Sequence, residues 1–161
     1  FTAPAHPQWG GSALLDAQGN LIGTGSLLVQ QEVSGETIHV NMFVPIDLLN
    51  PILDSMLKTG RSPHPPRPWL GMSTQDPAGK LVVARLSPGA PASKAGVQVG
   101  DQVVAVGGTR VQSLVEFFRA VWQLGTAGVE GPLTLSRGGD MLHITVKSAD
   151  RNDFLRKPKL H

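Results

Sequence analysis

Cysteine is absent from the 161 residues. That excludes disulfides, thiolate catalysis and cysteine-ligated zinc. It leaves the compartment open, because a cysteine-free chain suits either side of a membrane. Long apolar runs are missing as well: no stretch reaches the roughly 18 residues that a membrane-spanning helix needs. Charge is scarce and nearly balanced, with 14 basic and 12 acidic residues and a net charge of +2. Such a balance argues against nucleic acid as a partner. The five histidines show no metal-ligand spacing, so no metal site and no cofactor are expected. An initiator methionine and a signal peptide are also missing at Phe1-Thr2-Ala3, which reads as a processed form or a piece of a longer protein.

Turn formers are abundant. Glycine (19) and proline (13) make 32 of the 161 residues, about a fifth, against an average of roughly 12%. The chain is therefore not a long helical bundle. With 40% apolar residues it can fill a core. The length suits one domain, or one domain plus a piece of another.

Three zones follow one another. In residues 1–46, Ala13–Leu15, the turn Asp16–Asn20 and Leu21–Val29 read as a hairpin, and a second strand pair turns at Ser34-Gly35. Ile38, Val40, Met42 and Val44 share one face at period two. Asp47–Lys58 reads as a helix capped by Asp47, with apolar residues at three- and four-residue steps and a stop at Gly60. The segment 60–68 holds four prolines and reads as an extended, semi-rigid linker. Residues 69–148 read as a small α+β unit, with strands at 70–75, 80–86, 102–106, 132–136 and 141–147. A short helix is predicted at Pro91–Ala95. A longer one is predicted at Ser113–Leu124, where Ser113 and Glu116 form a capping box. Residues 149–161 read as a polar, frayed tail.

The stretch from Leu86 to Gly108 carries Pro88-Gly89, Pro91-Ala92, Ala95-Gly96 and Gly100-Asp101. In that order and spacing it resembles the PDZ domain of the HtrA/Deg family of serine proteases. Upstream, Phe43-Val44-Pro45-Ile46-Asp47-Leu48 is similar to the last strand and final helix of that family's trypsin-like domain. The resemblance implies a mainly β chain with α: a remnant of a trypsin-like β-barrel over 1–59, the linker 60–68, a PDZ domain over 69–148 and a tail over 149–161. It also implies an extracytoplasmic, periplasmic address and a part in protein quality control.

The family's nucleophile lies in Gly-Asn-Ser-Gly-Gly, followed by Pro or Ala and then Leu. Aligned without gaps on Ala13-Leu14, this chain places Gly10 at that position, and the candidate catalytic residue Ser12 falls two residues late. A seryl nucleophile needs an imidazole and oxyanion donors in fixed geometry. In the trypsin-like order His and Asp precede Ser, and only His6 does so here. The chain alone is expected not to hydrolyse peptides. His39, His64, His143 and His161 read as solvated or core-edge residues.

Binding residues are clearer. Trp69-Leu70-Gly71-Met72 is similar to the family's carboxylate-binding loop, whose successive N–H groups make an anion nest. Met72, Ser73 and Thr74 would lie on a free strand edge that a peptide C-terminus can extend. The second helix carries two apolar stripes. Leu114, Phe117, Val121 and Leu124 are assigned to the core; Val115, Phe118 and Trp122 form either the opposite wall of a peptide groove or a contact with another domain. The expected partners are C-termini of peptides or unfolded proteins. The open sheet in residues 1–46 suggests pairing of two chains, or a separate piece that completes it. Two functions remain open: the regulatory portion of a serine endopeptidase, or a pseudoprotease scaffold that binds C-termini without proteolysis.

Overall fold

A computed structural model describes residues 1–76 and 79–155. The chain divides into two compact units, Phe1–His64 and Pro65–His161.

The first unit is an antiparallel sheet in the order β1 (Ala13–Leu15), β2 (Leu21–Val33), β3 (Glu36–Pro45). Asp16 shapes the first turn. Its Oδ1 accepts from the N–H groups of Gln18 and Asn20 at 2.9 and 2.8 Å, an Asx-type turn. Thr2 exchanges backbone bonds with Asn41 along the far side of β3. A side chain at Gly25 is impossible, because a Cβ there would lie 1.8 Å from the Trp9 carbonyl oxygen. The alternating face holds only in part: Val40 is buried, whereas Ile38, Met42 and Val44 are half-buried.

The expected helix is displaced. A 3-10 turn spans Ile46–Leu48, and α1 runs Asn50–Thr59. Asp47 therefore lies within the 3-10 turn and is not the helix cap; Leu49 holds the cap position without a side-chain bond. Proline is tolerated in a helix only within its first turn, so Pro51 sets the start near Asn50. The Gly60 N–H closes the helix on Met56 O at 2.9 Å. Leu48, Leu53, Met56 and Leu57 remain exposed.

The second unit is a sheet ordered β4 (Met72–Gln75), β5 (Val82–Leu86), β6 (Gln102–Val106), β8 (Glu130–Arg137), β9 (Asp140–Lys147), with a short β7 (Thr109–Arg110) on β6. Sequence patterning did not anticipate β7. Helices α2 (Pro91–Lys94) and α3 (Leu114–Gln123) complete the unit. Its core gathers Leu81, Val83, Val103, Val106, Leu133, Leu135 and Val146 with Phe117 and Val121 of α3 and Ala92 of α2. The Gly138-Gly139 loop between β8 and β9 has both φ angles positive, 60° and 99°, as a two-residue hairpin turn of the primed type requires.

At the start of α3 the Ser113 hydroxyl accepts the Glu116 N–H at 3.2 Å. Glu116 does not return to the cap residue itself. Its Oε2 accepts from the Gln112 N–H at 2.7 Å, one residue earlier. Ser113→Ala should lower unfolding stability by about 1 kcal/mol, read as a shifted urea midpoint with an unchanged slope.

The tail is not frayed where it is described. Ala149 exchanges two 3.0 Å backbone bonds with Trp69. A 3-10 turn follows at Arg151–Phe154, capped by Asp150, and the Phe154 ring lies 4.7 Å from that of Trp69. Residues 156–161, His161 among them, lie outside the described residues.

Candidate peptide-binding site

The loop Trp69–Met72 is held from three directions. The N–H and C=O of Trp69 are both engaged by Ala149. The carbonyls of Leu70 and Gly71 accept from the N–H groups of Ala92 and Ser87, each at 2.8 Å. Both carbonyls are thus turned into the protein. Among the described residues no backbone carbonyl accepts the N–H of Leu70 or of Gly71. Two successive unbonded N–H groups in a fixed turn form an anion-binding concavity. Gly71 holds φ at +74°, the left-handed region that favours glycine.

The loop runs into β4, which among the described residues pairs only with β5 and so leaves its other edge open. A cleft of about 450 Å³ adjoins it. One side is made by Trp69, Leu70 and Met72, and the other by Phe117, Phe118, Val121 and Trp122 of α3. Phe117 and Val121 are buried at its base, while Phe118 and Trp122 are 43% and 41% exposed. Water-exposed aromatic area of this kind is what an apolar ligand would cover. The two rings stack obliquely with centroids 5.7 Å apart.

Five of the residues expected from sequence converge on this cleft: Trp69, Leu70, Met72, Phe118 and Trp122. Gly71 shapes the loop behind it. Ser73 points to solvent and Thr74 is buried, and neither lines the cleft. The Thr74 hydroxyl has no hydrogen-bond partner among the described residues. Val115 is exposed away from the lining. Phe117 and Val121, assigned to the core, serve both core and cleft.

Sequence reasoning missed the rim. Pro66, Arg67 and Pro68, read as spacer, form one end of the cleft, and Asp150, Arg151 and Asn152 form part of its border. Pro66 O accepts the Ala127 N–H at 2.9 Å, which fixes the strand of chain that carries Arg67. The Arg67 guanidinium lies 4.1 Å above the Trp122 ring centroid, a cation–π contact. Proline content marks a linker, but nothing local marks where it will lean.

Ser12 is placed otherwise. Its hydroxyl donates to Trp9 O at 2.9 Å, and its carbonyl accepts the Gly25 N–H at 2.8 Å. Among the described residues no histidine is bonded to it; His6 Nδ1 accepts from Gln8 N–H, and His39 pairs with Gln30. Gly10 is exposed beside it. His64 is exposed, and His143 on β9 sits against Thr134 at 3.3 Å. No cluster of three metal-ligating side chains occurs among the described residues.

Comparison with known proteins supports this architecture. Residues 68–148 match the family described as PDZ domain. The chain is 29% identical to a putative serine protease HhoA of Synechocystis, over 97% of this chain and 41% of that protein. It is likewise 29% identical to the serine endoprotease DegS of Haemophilus influenzae, over 58% of this chain and 28% of that protein. It thus spans less than half the length of these relatives. Several others are named periplasmic serine endoproteases. Among solved structures, the HtrA-type protease AlgW with a decapeptide superposes with a TM-score of 0.56 at 22% identity, over 91% of this chain and 45% of that one. A serine endoprotease from Yersinia pestis gives 0.53 at 23% identity, over 86% and 46%. The likeness shows the fold: mainly β with helix, the strands and final helix of a trypsin-like remnant followed by an α+β unit.

Proposed function

We propose, since this chain belongs to the PDZ domain family, that residues 69–148 are a receptor for peptide C-termini and the regulatory portion of an HtrA-like serine endopeptidase of protein quality control. One observation carries the reading. Among the described residues the Leu70 and Gly71 N–H groups have no backbone acceptor, at the head of an open strand edge and beside an apolar cleft. A terminal carboxylate on those N–H groups would let the last residues add to β4 as an extra strand, with the final side chain against Phe118 and Trp122. The PDZ family match and the peptide-bound structures of similar fold support this, and the periplasmic names of relatives support an extracytoplasmic address.

Residues 1–59 would then be the remnant of the catalytic domain, 60–68 the linker and 149–161 the tail. The chain itself would not cleave peptides, because Gly10 stands at the aligned nucleophile position and no histidine is bonded to Ser12 among the described residues. Gly10 at that position favours the second reading, a pseudoprotease scaffold that captures C-termini. Leu27, Leu28 and Val33 on β2 expose apolar surface, which supports association through residues 1–46.

The test is titration of the chain with short peptides ending in an apolar residue, each with a free or an amidated C-terminus. Charge-assisted hydrogen bonds are worth about 1.5–3 kcal/mol. Amidation should therefore weaken binding at least about tenfold. Equal binding of the two forms, or none of either, overturns the reading.

A further inference from the structure

The cleft is apolar inside but carries more positive than negative charge at its rim. Arg67 and Arg151 border it, against the single acid Asp150. The Asp150 carboxylate also accepts the Asn152 N–H at 2.9 Å within its own turn. Neither arginine has an acidic partner among the described residues. Arg67 is not a loosely hydrated side chain. Its Cζ sits 4.1 Å from the Trp122 ring centroid, and the backbone beside it is tied through Pro66 to Ala127. A guanidinium held against an aromatic ring has less rotamer freedom to lose on binding and keeps N–H donors for a second partner. A guanidinium so held at the border of an apolar cleft suits a carboxylate.

The terminal carboxylate of a ligand already has the Leu70 and Gly71 N–H groups. We propose that Arg67 and Arg151 read a second carboxylate, so that this site selects peptides with a Glu or Asp side chain upstream of an apolar C-terminal residue. The proposal rests on the C-terminal-peptide reading above and names its ligand class.

The test uses the whole chain and synthetic peptides ending in Leu, with Glu or Gln placed at one upstream position at a time, each as free acid and as amide. At one upstream position, Glu should bind about fivefold tighter than Gln, the upper range for a partly exposed ion pair. High salt should shrink that ratio. The ratio should fall to about one in the Arg67→Met/Arg151→Met double variant, where the Glu and Gln peptides are compared with each other. Arg67→Lys keeps the charge but loses the planar, bidentate donor set, and should retain only part of the preference. An unchanged unfolding midpoint shows that the variants fold. Equal binding of Glu and Gln peptides at every position overturns the proposal, as does a preference that survives the double substitution. If amides bind as well as acids, or no peptide binds, the C-terminal reading fails and takes this one with it.

Discussion

Gly71→Ala is expected to destabilise the second unit by about 3 kcal/mol and to abolish peptide binding. Two costs add. An alanine at φ +74° is strained by about 1 kcal/mol. Its Cβ would also lie 2.2 Å from the Cβ of Ala90, and 3.1 and 3.3 Å from carbons of the Trp69 ring. Ala90 cannot retreat easily. It is fully buried at the head of α2, next to the Ala92 N–H bond to Leu70 O, while Ser87 holds Gly71 O from the other side. Overpacking at such a place costs about 1–3 kcal/mol. Urea unfolding gives the stability, and peptide titration gives the binding. Ala90→Gly in the same chain should recover the steric part and leave the backbone strain. A Gly71→Ala chain that keeps full stability and peptide affinity would show that the loop is not a rigid nest.

Local signals made most elements of the second unit legible, and their limits are physical. Pro91 and Gly96 bracket α2, and Ser113 starts α3, because caps and stops act within one turn of the chain. The hairpin at Gly138-Gly139 is equally local. The errors came where two local signals competed or where a partner was remote. Asp47 looked like a cap, but Pro51 four residues later confines the helix start. Thr109–Arg110 is too short to show a period. The tail looked polar and unattached, yet Ala149 pairs with Trp69, 80 residues earlier. The cleft residues Trp69, Leu70, Met72, Phe118 and Trp122 could be read from a loop resemblance and a helical stripe. The role of Arg67 could not, since it depends on where Trp122 stands in the folded unit.

The same remoteness hides a forked polar tie in the second unit. Asp101 looked like half of a Gly-Asp turn. Its side chain is 1% exposed and takes Arg137 in a forked pair, Nε to Oδ1 at 2.7 Å and Nη2 to Oδ2 at 2.8 Å. Arg137 Nη2 also donates to Gly96 O, and Asp101 Oδ2 accepts the Gln98 N–H. One pair thus joins the turn after α2 to the end of β8. Arg137→Met should leave the Asp101 carboxylate buried without its partner. The loss should be about 2 kcal/mol, below the range for a fully buried pair because Arg137 is 34% exposed. The pH dependence gives the sign. The hydrogen bonds from Arg137 hold the Asp101 carboxyl below its ordinary value of 3.8, against the opposing effect of burial. A depressed carboxyl contributes stability that is fully present above its unfolded value and is lost as pH falls through the folded one. The unmodified chain should therefore keep this contribution at neutral pH and lose it in acid, below 3.8. In Arg137→Met burial acts without the cation, so the carboxyl rises and its protonation relieves the variant as pH falls. The two stability curves should be furthest apart at neutral pH and converge in acid. A gap that stays constant from neutral pH to below 3.8 would mean that Arg137 acts by packing its stem rather than by its charge on Asp101.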